Sequence, residues 1–236
     1  MTTTADPTTL KRAAAARALD FVEDGMKLGL GTGSTADLFL ELLGERIRGG
    51  LKIIGTPTSE RTAAKSRELN IPLAELDALG ELDLVVDGAD EADANLALIK
   101  GGGGALLREK IVAACGKRMV VIADDSKLVK KLGAFPVPVE VIPFGHGTTR
   151  ARIAKAASAL GYRNLEPKLR LKDGAPYRTD NGNVIYDCPF AAIADVPALA
   201  AALSPLTGVV EHGLFVNMAS DLVLASANGV RVLTRI

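Results

Sequence analysis

The sequence has no excess of either charge: 28 Lys and Arg stand against 28 Asp and Glu. With no global field, nothing draws nucleic acid or an anionic membrane surface to the chain as a whole, although a local phosphate pocket stays open. Cysteine is nearly absent. Cys115 and Cys188 are the only two, they lie far apart, and neither belongs to a Cys-x-x-Cys pair. That argues against a disulfide framework or a zinc knuckle and leaves two buried, reduced thiols as the expectation. No apolar run approaches the roughly 18 residues of a membrane span. The segment Met1 to Arg12 is Thr-rich and lacks the apolar stretch of an export signal, so the expected compartment is the cytoplasm.

What is present is the balance of a folded α/β protein: 48% apolar residues, 24% charged residues, 24 Gly and 11 Pro. A length of 236 residues suffices for one large domain or two small ones. Thr9 to Met26 reads as an Ala-rich helix ending at Gly25. Lys27 to Gly31 reads as a short strand entering a glycine turn, followed by a helix to about Ile47. The theme repeats with a strand over Leu51 to Thr56, a helix from about Ser59 to Leu69, and a strand candidate at Ile71 to Leu76. Such alternation predicts a parallel sheet with helices on both faces. Leu82 to Asp87 is a further strand, apolar enough to be buried on both faces, and it delivers Asp87 to the C-terminal edge where open parallel sheets bind ligands. A helix over Ala105 to Cys115 and a strand over Arg118 to Asp124 complete this unit.

Phe135 to Pro143 is a strand punctuated by prolines, which suits a sheet edge or a domain entrance. From there the order is helix (Thr149 to Leu160), strand (Lys168 to Leu171), a hairpin about Asp180-Asn181-Gly182-Asn183 into Val184 to Tyr186, and helix (Val196 to Leu203). The tail from Gly208 is strand-rich and is expected to return to the first sheet. The expected division is therefore 1–133 with 206–236 as one unit and 134–205 as a smaller α+β unit.

Four stretches could carry chemistry. In Gly29-Leu30-Gly31-Thr32-Gly33-Ser34-Thr35-Ala36, glycines allow close backbone approach and the following helix offers unpaired N–H groups to an anion. Phosphate, a dinucleotide and a plain tight turn all remain open there. A nicotinamide enzyme would carry an acid after the second strand, where Ile54-Gly55-Thr56-Pro57-Thr58 has none. Asp87-Gly88-Ala89-Asp90-Glu91-Ala92-Asp93 crowds four carboxylates, and crowding raises some of their pKa values. A solvated turn, a capping cluster or a magnesium site would read alike, though the spacing is not that of an EF-hand. Lys100-Gly101-Gly102-Gly103-Gly104 leads straight into an apolar helix, which favours a turn that hugs a ligand over a flexible linker, and it is no Walker A loop. Glu109 shares a helical face with Ala105, Leu106, Val112 and Ala113. Burial there would raise its pKa toward that of a general base, while a surface Glu paired with Arg108 is the alternative. Lys127, in Asp124-Asp125-Ser126-Lys127, can reach a phosphate or stand in solvent. His146 and His212 read as structural, and no Gly-x-Ser-x-Gly elbow exists.

Together, Gly31 to Thr35, Asp87 to Glu91, Lys100 to Gly103 with Arg108-Glu109-Lys110, and Asp125-Ser126-Lys127 resemble the type A ribose-5-phosphate isomerases in order and spacing. The resemblance continues through Pro57-Thr58-Ser59, Phe135 to Pro143, Thr179 to Asn183 and Gly208 to Phe215, so it covers nearly the whole chain. It is less regular only at Leu222 to Asn228. It implies a Rossmann-like, mostly parallel sheet domain with a smaller α+β lid. It also implies interconversion of D-ribose 5-phosphate and D-ribulose 5-phosphate in the non-oxidative pentose phosphate pathway, without metal or nucleotide cofactor. By the same resemblance Glu109 is the general base, with Asp87, Asp90 and Lys100 beside it. Thr32, Gly33, Ser34, Thr35, Asp87, Gly88, Ala89, Asp90, Lys100, Gly101, Gly102, Gly103 and Lys127 are implied as substrate-binding positions. The implied partner is a small sugar phosphate, not nucleic acid or membrane, and the implied assembly a homodimer or homotetramer. Three rivals are an oxidoreductase on the same sheet, a sugar-phosphate sensor, and a deaminase or acyl-CoA transferase on a related fold. The sensor would need a basic helix-turn-helix, which the neutral N-terminus does not offer.

Overall fold

A computed structural model describes residues 6–235; Met1 to Ala5, within the segment judged for an export signal, and Ile236 lie outside the described residues. The first helix, α1 (Pro7–Ala18), begins where the Asp6 side chain accepts the Thr9 N–H and Pro7 pre-sets the first helical φ. It stops well short of Met26 and gives way to a 3-10 turn, Leu19–Phe21. The reason lies in residue 52: the Asp24 side chain accepts the Lys52 N–H at 2.7 Å and Gly25 N–H donates to the Lys52 carbonyl at 2.7 Å, so this stretch is tied across the sheet.

The chain then alternates through β1 (Lys27–Leu30), α2 (Ser34–Arg48), β2 (Ile54–Pro57) and α3 (Glu60–Glu68), the last capped by Ser59. Ile71 to Leu76 forms no strand. Only Leu73 bridges to Gly55, and the chain turns into a short α4 (Leu76–Leu79). Then come β3 (Leu84–Gly88), the two-residue strands β4 (Glu91–Ala92) and β5 (Leu98–Ile99), α5 (Leu106–Ala114) and β6 (Met119–Asp124). Along β3 the pleat sends Leu84 and Val86 to the α1 and α2 side and Val85 to the α5 side, which produces two apolar layers, one on each face.

Beyond β6 follow β7 (Val137–Val141), α6 (His146–Ala159), β8 (Lys168–Leu169), β9 (Leu171–Lys172), β10 (Ala175–Pro176), β11 (Val184–Cys188) and α7 (Val196–Leu203). The chain ends with β12 (Val209–His212), β13 (Leu214–Phe215), β14 (Asp221–Ser226) and β15 (Gly229–Thr234). The main sheet runs β15-β14-β6-β3-β1-β2, parallel except for β15, and a four-stranded antiparallel sheet runs β12-β7-β11-β8. The second sheet has its own apolar cluster, in which Val137, Val139 and Val141 meet Ile153, Leu199 and Leu203.

Further expectations change. The proline-punctuated β7 is central, between β12 and β11, rather than at an edge. Pro138 is tolerated because its carbonyl, accepting the Gly213 N–H at 2.7 Å, faces the side where β12 has just ended, so no partner there needs the N–H it lacks. The paired hairpin closes at Asp173-Gly174, both at positive φ, between β9 and β10. Asn181-Gly182 makes a turn closed by Thr179 N–H to the Asn183 carbonyl at 3.0 Å, without strands paired across it. The tail divides: β12 joins the second sheet, and only β14 and β15 return to the first, with Leu222 to Ser226 in regular strand. Both cysteines are free, Cys188 buried and Cys115 half-buried.

Candidate active site

β1 pairs with β2 on one side and β3 on the other, and the chain visits β2 first, so the order of strand addition reverses at β1. Connections leave the C-terminal edge in opposite directions at such a reversal and open a crevice there. The turn after β1, the end of β3 and the turn after β6 meet at that crevice.

Asp87, the fourth residue of β3, is fully buried. Its Oδ1 accepts the N–H groups of Thr32 at 3.0 Å and Gly88 at 2.8 Å, which pins the turn after β1 to the end of β3. A Cβ on Gly31 would collide with the Asp87 carboxyl, so this close approach requires glycine. The Thr32 hydroxyl turns inward to Thr58 Oγ1 at 2.7 Å, Ser59 Oγ at 2.8 Å and Thr62 Oγ1 at 3.0 Å. It therefore braces the turn, while Ser34 Oγ accepts from Lys11 Nζ at 3.0 Å.

Lys100 follows β5 and is only 2% exposed. Its Nζ donates to the Gly88 carbonyl at 2.6 Å and lies 3.0 Å from Asp87 Oδ2 and 3.4 Å from Glu109 Oε2. Those two carboxylate oxygens lie within ion-pair reach but off hydrogen-bond geometry, so both are buried without a hydrogen bond. Glu109, 3% exposed, sits on the inner face of α5 with Leu106, Val112 and Ala113. The surface pairing with Arg108 does not occur, because Arg108 reaches out to Glu60 at 2.8 Å and Asn181 at 3.2 Å. Burial pushes the Glu109 carboxyl up; Lys100 pulls it down, Asp87 and Asp90 push it further up, and it comes to rest at about 8. Burial alone would lower the Lys100 ammonium, but the charges of Asp87 and Glu109 outweigh it and hold that ammonium above its usual range.

These groups open onto a cleft of about 140 Å³ lined by Thr32 to Thr35, Gly88 to Asp90, Lys100 to Gly103, Glu109, Lys127 and Lys11. The four stretches singled out in the sequence thus converge, with Asp87 directly behind Lys100. The acidic run divides. Asp90 faces the cleft and its Oδ2 accepts the Gly102 N–H at 2.8 Å. Glu91 instead accepts the N–H groups of Gly133 and Phe135 at 2.7 and 2.6 Å, and Asp93 accepts those of Asn95 and Ala97, both at 2.9 Å. Among the described residues, no group of three or more His, Cys, Asp or Glu side chains is placed to share a metal ion. Lys127 reaches the cleft from the 3-10 turn Asp125–Lys127.

Lys11 escapes a reading of the sequence. It stands on α1, remote from any glycine turn, and only the packing of α1 on α2 brings it to Ser34. Lys110 turns away from the cleft and donates to Glu211 Oε1 at 2.7 Å and the His212 carbonyl at 2.6 Å. Burial, reinforced by Lys110, pushes the His212 imidazolium down to about 4. Neutral, its Nδ1 accepts the Leu214 N–H at 3.3 Å and its Nε2–H donates to Ser204 Oγ at 3.1 Å. His146 meets Tyr186 Oη at 2.7 Å, so neither histidine serves the cleft.

The arrangement offers one buried carboxylate poised to exchange a proton, an ammonium and backbone N–H groups beside it, and two further lysines for an anion. The sequence model of ribose 5-phosphate isomerase A (phosphoriboisomerase A) matches residues 54–229. The chain is 59% identical over 231 residues to the ribose-5-phosphate isomerase A of Rhodopseudomonas palustris strain TIE-1, covering 98% of this chain and 99% of that one. Among solved structures, ribose 5-phosphate isomerase A from Methanocaldococcus jannaschii superposes with a TM-score of 0.89 at 42% identity, over 97% of this chain and 100% of that one. A D-ribose-5-phosphate isomerase in complex with phospho-erythronic acid gives a TM-score of 0.90 at 40% identity, over 98% of this chain and 100% of that one.

Proposed function

The chain belongs to the ribose 5-phosphate isomerase A family, and from that premise we propose that it interconverts D-ribose 5-phosphate and D-ribulose 5-phosphate through an enediolate, with Glu109 as the base. It is an isomerase of ribose 5-phosphate; the route and the residue roles are the proposal. Shifting a carbonyl from C1 to C2 requires a base that takes the C2 proton and returns it to C1, together with donors for the oxygens that become negative. The observation that carries this reading is Glu109 Oε2, a buried carboxylate oxygen with no hydrogen bond, on a group whose pKa is raised toward neutrality.

In this reading Lys100 and the glycine-loop N–H groups stabilise the enediolate oxygens. Asp87 and Asp90 orient hydroxyls and assist ring opening. Ser34, Thr35, Lys127 and Lys11 hold the phosphate, and no metal or nucleotide takes part. A smaller lid over roughly 134–205, apart from a catalytic unit formed by 1–133 and 206–236, belongs to the same reading, with β12 crossing from the catalytic unit's tail to the lid's sheet and Leu132 and Leu214 sharing the lid's apolar cluster. A place in the non-oxidative pentose phosphate pathway, a cytoplasmic setting and a homodimer or homotetramer complete the proposal. Among the described residues no helix is long and apolar enough to cross a membrane.

The test is incubation with ribose 5-phosphate in heavy water, followed by proton NMR. A carboxyl shuttle exchanges with solvent between taking and returning the proton, so ribulose 5-phosphate is expected to carry deuterium at C1. Product without deuterium, even on prolonged equilibration, would remove Glu109 as the shuttle.

A further inference from the structure

Four consecutive glycines have no side chains with which to fix their own peptide planes, and each pays heavily in backbone entropy to adopt one conformation. Yet the stretch from Gly101 to Gly104 must present N–H groups, not carbonyls, to a substrate that turns negative. Arg170, immediately after β8, supplies an external hold. Its Nη1 donates to the carbonyls of Gly101 at 2.9 Å and Gly102 at 3.2 Å. The guanidinium is itself clamped by Asp187 on β11, with Nε to Oδ2 at 3.0 Å and Nη2 to Oδ1 at 2.5 Å. Its backbone is fixed too, by Arg170 N–H to the Ile185 carbonyl at 2.8 Å and Tyr177 N–H to the Arg170 carbonyl at 2.9 Å.

A trans peptide is planar and points its C=O and N–H in opposite directions. Drawing the Gly101 carbonyl toward Arg170 therefore sends the Gly102 N–H the other way, where it meets Asp90 Oδ2 at 2.8 Å on the cleft side. Drawing the Gly102 carbonyl toward Arg170 likewise sends the Gly103 N–H away from the guanidinium. That N–H has no acceptor among the described residues, and Gly103 lines the cleft.

We propose that Arg170, locked by Asp187, is a positioning residue for the isomerisation: it sets the Gly101–Gly102 and Gly102–Gly103 peptide planes so that the Gly103 N–H faces the developing enediolate oxygen. A flipped 102–103 peptide would turn a carbonyl dipole toward that charge. The inference rests on the isomerase reading above, and Arg170 itself does not line the cleft.

Removing an oxyanion donor outright costs about 10² to 10³ in kcat. A donor that is present but no longer held costs less, so Arg170→Met is expected to lower kcat about 10- to 100-fold. KM for ribose 5-phosphate should stay within about threefold, because the lost interaction is made in the transition state. The pH midpoint of kcat/KM should be unchanged, since Glu109 and Lys100 are untouched. Asp187→Asn, which keeps the arginine but loosens its anchor, should give a smaller loss with the same split, and Arg170→Lys should fall between. If Arg170→Met does not fold by melting and gel filtration, the other two variants decide. Folded variants with kcat within threefold of wild type, a loss confined to KM, or a shifted pH midpoint would overturn the proposal. A wild-type chain without isomerase activity would instead remove the function proposed above.

Discussion

The Lys100 ammonium stands 3.4 Å from Glu109 Oε2 in surroundings where neither side chain is more than 4% exposed. An isolated pair of this kind would settle as a salt bridge with the carboxyl well below its usual pKa. It does not, because Asp87 Oδ2 competes for the same ammonium at 3.0 Å and burial penalises a second anion. Two carboxylates thus share one cation, and the one on the apolar helix is the one kept close to its protonated form.

That balance dictates the pH profile. A base works only when ionised, and the Glu109 carboxyl sits at about 8. kcat/KM should therefore rise with pH, about tenfold per unit on the acid side, and level off above roughly pH 8. The apparent midpoint belongs to the Glu109, Asp87 and Lys100 set as a whole. A flat profile between pH 5 and 8 would count against Glu109 as base.

Glu109→Gln should lower turnover about 10²-fold or more while KM moves little, the usual scale for a lost general base. It should also stabilise the fold. A carboxyl whose folded pKa is raised costs nothing below its unfolded value near 4.5, and its penalty grows as pH climbs toward 8. The variant should thus melt several degrees above wild type at pH 8.5, at roughly 2–4 °C per kcal/mol for a chain of this size. The gap should close near pH 5. Equal melting temperatures at pH 8.5 would show that burial of Glu109 carries no cost.

The sequence makes the convergence at the sheet edge legible because the strands it reads as ending at Gly31, Asp87 and Asp124 are each followed by a turn rich in Gly or Asp, and a parallel sheet brings such ends to one rim. The helical period likewise places Glu109 inward. What it leaves hidden are relations made by packing alone. Lys11 reaches Ser34 across the α1–α2 contact, and Arg170 reaches the glycine loop from about 70 residues away, with no local pattern to betray it. The central place of β7 is hidden for another reason: whether Pro138 is tolerated depends on where β12 ends, which is not a property of β7. Glu91 and Asp93 share the composition of Asp87 and Asp90, and only their backbone N–H partners tell them apart.

Lys127→Ala and Lys11→Ala should each raise KM for ribose 5-phosphate more than they lower turnover, and leave the binding of unphosphorylated ribose unchanged. A charge-assisted contact to phosphate matters only when phosphate is there. Inorganic phosphate should inhibit both variants less than wild type. Equal losses with both sugars would place these lysines outside phosphate binding.

Gly102 lines the cleft with its N–H on Asp90, and it tests whether that carboxylate must stay where it is. Its φ is not positive, so alanine is tolerated by the backbone there, unlike at Gly101 or Gly104. The added Cβ, however, would lie 2.6 Å from Asp90 Oδ1 and 3.0 Å from Oδ2. Something must move, and the Asp90 side chain is the nearest neighbour. Gly102→Ala should therefore keep its fold and lose about 10- to 100-fold in kcat/KM, the penalty for a reacting-site group displaced by about 1 Å. If the loss runs through Asp90, adding Gly102→Ala to Asp90→Ala should cost almost nothing further, since coupled neighbours are not additive. Additive losses in that double-mutant cycle would mean that the substitution acts on the loop itself, and that Asp90 has room to give way.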